Sequence, residues 1–273
     1  MVGRHRSAIL VGVAVAGLVL SACGSGSGSN SGGSGGSKSA YLVGATEDLS
    51  GALAVYGKWA QESLTGYFNY VNAHGGINGH QVTVKILDDA SDPSRAATNV
   101  RQLTSEKALV VSGSTLSNIC AAIEPMTTQA KVAEMCTAVP QNMFKPVHPY
   151  VFARLMPAET LADPIIAFVP KIITAPKPRV AIITTTAADA VAFGKRTQQE
   201  AEAQGWTVVA NKQVVASENA NITGPAAAIA TAKADVVIGE LAGPNNVTFI
   251  RQLRSAGSNA PFISETADYG SMV

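Results

Sequence analysis

The feature that most constrains the fold of this 273-residue chain is a regular alternation, from Tyr41 onward, between strand-like apolar runs and longer helical patterns. Strands that alternate with helices are typical of βαβ units, in which helices cover a parallel sheet. The pattern therefore predicts an α/β protein whose two halves are similar lobes. The predicted strands are 41–46, 82–87, 108–112, 132–136, 179–184, 207–210, 235–239 and 261–264. The predicted helices are 55–73, 93–105, 118–129, 158–174, 190–204, 222–232 and 245–256.

Local signals add detail to several elements. Strand 82–87 alternates apolar and polar residues, which is typical of a sheet edge, and Asp92-Pro93 is a typical helix start. Gly75-Gly76 predicts the end of the first helix. A stripe at three- and four-residue steps predicts that this helix packs on the sheet. The stripe consists of Tyr56, Ala60, Leu64, Tyr67, Phe68 and Val71.

We expect the chain to cross between the lobes in segment 151–157, where a strand ends and Pro157 disfavours helix in the residue before it. This crossing is the predicted hinge. It divides the chain into an N-terminal lobe, 41–156, and a C-terminal lobe, 157–273.

The amino terminus has the layout of a secretory signal. Arg4 and Arg6 precede an apolar run from Ala8 to Leu20, which is shorter than the ~20 residues of a membrane-spanning helix. Leu20-Ser21-Ala22-Cys23 then resembles a bacterial lipobox, although an ordinary small-residue cleavage site fits as well. The sequence predicts a signal peptide over 1–22, lipidation of Cys23 and a flexible Gly/Ser-rich tether over 23–40.

Charge and motifs argue against several functions. Cleavage before Cys23 removes two arginines and no acid, so the formal net charge changes from +1 to −1, which disfavours nucleic-acid binding. Gly57-Lys58 is followed by Trp59, so the phosphate-loop pattern fails, and no dinucleotide fingerprint follows a predicted strand. The Gly-x-Ser-x-Gly match at 32–36 lies in low-complexity linker. We expect no cofactor and no enzymatic activity.

Metal binding also lacks support in the sequence. The four histidines show no paired ligand spacing and no Cys-x-x-Cys motif occurs. Asp88, Asp89 and Asp92 suggest a cation site, but a strand end that runs into a helix cap explains them more simply. In an oxidising compartment Cys120 and Cys136 can form a disulfide or remain buried thiols, and the sequence leaves both alternatives open.

The best candidate site is the loop 112–117, which carries Ser114 and Ser117 between a predicted strand end and a predicted helix start. Open parallel sheets bind ligands at the carboxyl ends of their strands. Free amides and hydroxyls at a helix start can bind a carboxylate, although simple helix capping explains the same residues.

Several segments of the sequence resemble the leucine/isoleucine/valine-binding-protein family. These are type I periplasmic binding proteins, which supply branched-chain amino acid ABC transporters. The similar segments are 44–51 with Tyr56-Gly57, Val71–Gly79, Asp88–Pro93, Val180–Ile183 and Phe249–Gly257. The resemblance covers residues 41–269 and implies two Rossmann-like lobes that close over a small solute by hinge motion.

The resemblance also implies site residues and partners. Tyr56, Ser117 and the loop Ala138-Val139 match positions that contact the ligand in the family, and the hydroxyl and backbone amides there bind an α-carboxylate. Glu265, or Thr266 in an ungapped alignment, falls near the carboxylate that pairs with the α-amino group. The implied partners are a permease, ATPases and, through the lipid on Cys23, the outer face of the cytoplasmic membrane.

Three departures from the family pattern affect the expected function. Asp189 replaces a position that is often Tyr followed by Gly, which favours a polar or cationic solute such as an amide or a basic amino acid. Ala242-Gly243 replaces an aromatic region. The chain also stops at Val273 without the usual return to the first lobe, so we expect a truncated product or a fragment. A sensory module for a signalling partner is the alternative function, and neighbouring genes would distinguish it from transport.

Overall fold

Two parallel β-sheets form the framework of the computed structural model, which describes residues 38–137 and 140–265. The first sheet has the strand order β2-β1-β3-β4-β5 and the second has the order β7-β6-β8-β9. The first sheet consists of β1 (Tyr41–Glu47), β2 (Val82–Asp88), β3 (Val110–Ser112), β4 (Ala133–Cys136) and β5 (Val151–Ala153). The second consists of β6 (Arg179–Thr185), β7 (Thr207–Val214), β8 (Val236–Glu240) and β9 (Phe262–Ser264). The predicted α/β class with parallel sheets is confirmed.

Helices connect successive strands and cover the sheets. In the first lobe they are α1 (Ala54–Ala73), α2 (Pro93–Ser105) and α3 (Ser117–Ala130). In the second lobe they are α4 (Ala162–Ile172), α5 (Ala188–Ala203), α6 (Thr223–Thr231) and α7 (Asn245–Ser255). Short 3₁₀ turns occupy Gln141–Phe144 and Ala158–Leu161. None of the helices within the described residues is both long and apolar enough to cross a bilayer.

Several local predictions are confirmed. The Asp92 side chain accepts hydrogen bonds from the amides of Ser94 and Arg95, as expected of a helix cap ahead of Pro93. Strand β2 lies at the edge of its sheet. Gly76, with φ of +74°, follows α1 and would place a Cβ atom 2.0 Å from the His80 carbonyl oxygen, so only glycine fits there.

Three local predictions need correction. The stripe of α1 does not pack fully on the sheet, because α1 lies over β2 and β1 at the sheet margin and Tyr67 remains 62% exposed. The predicted helix 158–174 is a 3₁₀ turn followed by α4. Strand β7 continues to Val214, beyond the predicted residue 210, because an edge strand tolerates polar residues such as Asn211 and Gln213.

The core is divided by the sheets. In the second lobe, separate apolar clusters cover the two faces of the sheet, around Phe193 and Phe249. In the first lobe, Val100 and Leu103 of α2 pack with Ile119 of α3 in a cluster that also includes Ala187 and Ala190 of the second lobe. The first-lobe core therefore extends to the start of α5, which fixes that helix end beside α3.

Candidate functional site

A cavity of about 620 Å³ lies between the lobes, where the carboxyl ends of strands from both sheets meet. Thr137 and Arg154 follow β4 and β5 on one side, and Thr185 and Glu240 end β6 and β8 on the other. The remaining lining residues are Leu53, Tyr56, Thr115, Leu116, Leu155, Met156, Ala158, Leu161, Ala187, Asp189, Ala216, Leu241, Ala242 and Glu265. The walls are thus largely apolar, with a few polar groups at the strand ends.

Hydrogen bonds between the lobes close one side of this cavity. The Glu218 carboxylate accepts from the Val55 amide at 2.8 Å, at the start of α1, and the Glu218 amide donates to the Ala52 carbonyl at 3.0 Å. The Gly243 amide donates to the Tyr56 hydroxyl oxygen at 2.5 Å. Gly243 has φ of +53°, a conformation that glycine adopts without strain. These contacts join the second lobe directly to residues 52–56 of the first lobe.

Ser117 and Asp189 form a second contact between the lobes. Ser117 Oγ donates to Asp189 Oδ1 at 2.7 Å, and both residues are buried. The adjacent Ala188 amide donates to Asn118 Oδ1 at 3.2 Å. Asp189 lines the cavity and Ser117 lies behind it, at the first residue of α3. The Ser117 hydroxyl, which was predicted to bind a ligand carboxylate, therefore already donates to the carboxylate of Asp189.

Lobe two contributes three carboxyl groups to the cavity, Asp189, Glu240 and Glu265. Burial, with the charge of Asp189 nearby, raises the pKa of Glu265 to about 7. Burial, with Asp189 and Glu265 nearby, raises the pKa of Glu240 well above its ordinary value. Oε2 of Glu240 is buried and has no hydrogen-bond partner among the described residues.

Lobe one contributes one cation, Arg154. Its guanidinium donates to the Thr137 hydroxyl and lies 3.5 Å from the Gly113 carbonyl oxygen. Behind it, Glu47 is fully buried and accepts a hydrogen bond from Ser112 Oγ at 3.0 Å. Burial raises the pKa of Glu47 to about 8, although the charge of Arg154 acts in the opposite direction.

The other predicted site residues are distributed differently. Ser114 is fully buried and does not line the cavity, and its hydroxyl oxygen has no hydrogen-bond partner among the described residues. Ala138-Val139, Thr266 and Cys23 lie outside the described residues. Tyr56, Asp189 and Glu265 share the cavity, and their contact with a ligand remains a prediction.

Sequence reasoning missed Glu240 and Arg154. Glu240 ends a parallel strand and Arg154 directly follows one. Ligands bind at the carboxyl ends of parallel strands, and the same rule gave the loop that contains Ser117. The same rule, applied to every predicted strand, would have included Glu240, because it directly follows the apolar run of β8. Arg154 was harder to predict from sequence, because the three-residue strand β5 was predicted only as part of the crossing between lobes.

Cys120 and Cys136 form a disulfide in the structure, buried beside Met143 and Phe144. Together with Glu134 they form a group whose ligand atoms lie within 4.8 Å of one another. A metal would require thiolates, and the disulfide ties up both sulfur atoms. Asp88 is likewise committed to protein donors, because its carboxylate accepts from the amides of Leu49 and Ala90.

Comparison with solved structures shows fold similarity over most of the chain. LivJ of Streptococcus pneumoniae, the branched-chain amino acid transporter substrate-binding protein solved with isoleucine, is 24% identical with a TM-score of 0.70, over 82% of this chain and 64% of LivJ. A solute-binding protein of an ABC transporter from Rhodopseudomonas palustris BisB5, solved with 3,4-dihydroxybenzoic acid, is 21% identical with a TM-score of 0.72, over 82% and 61%.

An extracellular ligand-binding receptor from Rhodopseudomonas palustris HaA2 is 26% identical with a TM-score of 0.72, over 83% of this chain and 61% of that protein. The chain thus spans less than two thirds of the length of each of these structures. A search of curated protein sequences gave no match. A family model described as periplasmic binding protein matches residues 41–269. This match covers most of the chain, which therefore belongs to the periplasmic binding protein family, with the type I fold of the leucine/isoleucine/valine-binding proteins.

Proposed function

We propose that this chain is the extracytoplasmic solute-binding component of an ABC transporter, which captures a small amino-acid-like solute between its lobes and delivers it to a permease. The observation that carries the proposal is the cavity of about 620 Å³ at the convergent strand ends. Its size suits a small molecule, and the hydrogen bonds between lobes provide a closed state for solute capture.

The solved relatives support a small solute. One was crystallised with isoleucine and another with 3,4-dihydroxybenzoic acid. These ligands differ in chemistry, so the fold alone does not select the solute and the lining residues must do so.

A solute screen by thermal shift tests the proposal. The exported chain carrying Cys23→Ala, which avoids the need for detergent, is heated with a panel of amino acids, amines, amides and small aromatic acids. A solute that binds the folded state raises the melting temperature by mass action, and about 100-fold excess over Kd corresponds to about 2.7 kcal/mol. Chromatography of the solute before and after incubation measures turnover. Absence of any shift, or conversion of the bound solute, would contradict the proposal.

We also propose that lipid on Cys23 anchors the chain at the outer face of the cytoplasmic membrane. The support is the apolar run 8–20 followed by Leu20-Ser21-Ala22-Cys23 and a Gly/Ser-rich stretch. Expression of the full chain in a bacterium should place it in the membrane fraction with acyl chains on Cys23 by mass spectrometry, and Cys23→Ala should move it to the soluble fraction. Equal partitioning of both forms would exclude the anchor.

A further inference from the structure

We infer that the solute bound in the cavity carries a positively charged nitrogen on a short alkyl chain and has no carboxylate at the start of α3. This inference rests on the proposed solute-binding function and specifies its substrate class. Three carboxyl groups of lobe two, Asp189, Glu240 and Glu265, face one cavity. Carboxyl groups gathered in an apolar cavity repel one another and lose hydration, so a cationic ligand compensates them.

The described protein supplies no cation for these three groups. No ion pair joins Asp189, Glu240 or Glu265 to a Lys, Arg or His within the described residues. Arg154 lines the same cavity, but its hydrogen bonds go to Thr137 and Gly113, in lobe one. Among the described residues, no basic side chain pairs with the lobe-two carboxyl groups, which favours a ligand that supplies a positive charge there.

Glu240 gives an independent indication of a ligand. Its Oε2 atom is buried at the cavity and accepts no hydrogen bond from the described residues. A buried polar atom without a partner costs about 1–3 kcal/mol, so a ligand that supplies the missing hydrogen bond would stabilise the site. An ammonium group offers three N–H donors and no acceptor. An ionised carboxylate can only accept hydrogen bonds, so the two groups are complementary.

The site for a carboxylate is already filled. The start of α3, with the Ser117 hydroxyl, is where an incoming carboxylate would bind, and Asp189 occupies it at 2.7 Å. The remaining walls include the apolar side chains Leu53, Leu116 and Leu155, which suit methylene groups. An alkyl amine therefore suits the lobe-two side of the cavity, where the three carboxyl groups would repel the carboxylate of an α-amino acid.

Calorimetry on the Cys23→Ala chain at pH 8 tests the inference with four probes of similar length. These are 1,5-diaminopentane, pentylamine, pentanamide and L-leucine. We expect the two amines to bind at least tenfold more tightly than pentanamide and L-leucine. Glu240→Gln should weaken amine binding at least tenfold, because it removes the charge and adds a donor. Glu62→Gln, an exposed residue of α1 outside the cavity, should leave the affinity unchanged.

The outcomes separate this inference from the proposed function. Tighter binding of L-leucine or pentanamide than of either amine would overturn the inference and leave solute binding intact. No binding by any probe or by the broader solute panel would overturn both. If Glu240→Gln fails to fold, amine binding is measured on Asp189→Asn instead. A second measurement uses the chain with no substitution in the cavity. In the unmodified cavity, amine binding at pH 7 should release protons from Glu265 and Glu240, measured as different heats in two buffers. Equal heats would count against the inference.

Discussion

Buried carboxyl groups are the residues whose environment departs most from the ordinary. Burial raises the pKa of Glu47 to about 8, and it raises the pKa of Glu134 to about 7. Both accept hydrogen bonds, from Ser112 and from Thr127 respectively, yet desolvation has the larger effect. Each group therefore holds a proton in the folded state at a pH where the unfolded chain has released it.

Glu47 makes the stability of lobe one depend on pH. Because its pKa rises from 4.5 to about 8 on folding, the folded state binds more protons, so this group's contribution to stability falls as the pH rises through that window. Asp48, Asp89 and Arg154 are the charged groups that act on it. Glu47→Gln should flatten the decline of the unfolding free energy between pH 5 and 8, by up to about 1.4 kcal/mol per pH unit. Urea unfolding at several pH values measures the slope, and an unchanged slope would be the contrary result.

Ser117 is expected to matter chiefly through Asp189. Ser117→Ala removes the 2.7 Å hydrogen bond and leaves a buried carboxylate oxygen without its donor, so the unfolding free energy should fall by about 1–3 kcal/mol. The double variant with Asp189→Asn should lose less than the sum of the two single variants. Urea unfolding of the four chains gives this coupling, and simple additivity would show that the bond contributes nothing.

At the scale of elements, α1 depends on a close approach at its first turns. A Cβ atom on Gly57 would lie 1.8 Å from the Asp48 carbonyl oxygen, whereas one on Gly66 of the same helix would meet nothing within 4 Å. The two glycines thus have opposite roles. Gly57 allows the helix to contact the loop after β1, and Gly66 only weakens the helix.

Alanine substitution should separate these roles. Gly57→Ala forces the helix away from Asp48 and should cost about 1–3 kcal/mol of unfolding free energy, because backbone atoms cannot move aside easily. Gly66→Ala should stabilise the chain by about 1 kcal/mol, since alanine is the better helix former. Thermal and urea unfolding of both variants provide the measurement. If both substitutions change the unfolding free energy in the same direction, the packing explanation is wrong.

The disulfide links α3 to β4 across 16 residues. A closed loop of this length restricts the unfolded chain and stabilises the fold by about 3 kcal/mol. The double variant Cys120→Ala with Cys136→Ala should therefore show a lower urea midpoint than the oxidised chain. Reductant should lower the midpoint of the parent chain and leave that of the double variant unchanged. If oxidised and reduced parent chains unfold at the same midpoint, the bond contributes no stability.

At the scale of the whole molecule, contacts between residues far apart in sequence join the two lobes. Glu218 bonds Val55 across 163 positions, and Gly243 bonds Tyr56 across 187. The Glu218 carboxylate also lies at the amino end of α1, where the helix dipole favours a negative charge. These hydrogen bonds join the second lobe to the first turn of α1.

Weakening the Glu218 contact should open the lobes. Glu218→Ala removes a charge-assisted hydrogen bond worth about 1.5–3 kcal/mol, so it should weaken solute binding about tenfold or more and enlarge the radius of gyration without solute. Small-angle scattering and calorimetry measure the two effects, with exposed Glu62→Ala on the same helix as the control. Unchanged scattering and affinity would show that closure does not depend on this residue.

Local sequence patterns were enough to predict the order and type of nearly all elements, the edge position of β2 and the Asp92 cap of α2. These features depend on periodicity and capping within a few residues, so local chemistry is sufficient to specify them. Prediction from sequence failed where packing against other elements determines whether a side chain is buried. Tyr67 has the spacing of a buried residue, but α1 lies at the margin of the sheet and leaves it exposed.

The cavity depends on packing between parts of the chain that are distant in sequence. Ser117 and Asp189 are 72 positions apart, and their bond exists because α3 and α5 begin at facing strand ends. Glu240 and Glu265 join Asp189 because the parallel order of the second sheet brings the ends of β8 and β9 side by side. Local patterns carry no information on which strand ends become neighbours, since that depends on how distant apolar faces pack and on how the two lobes meet.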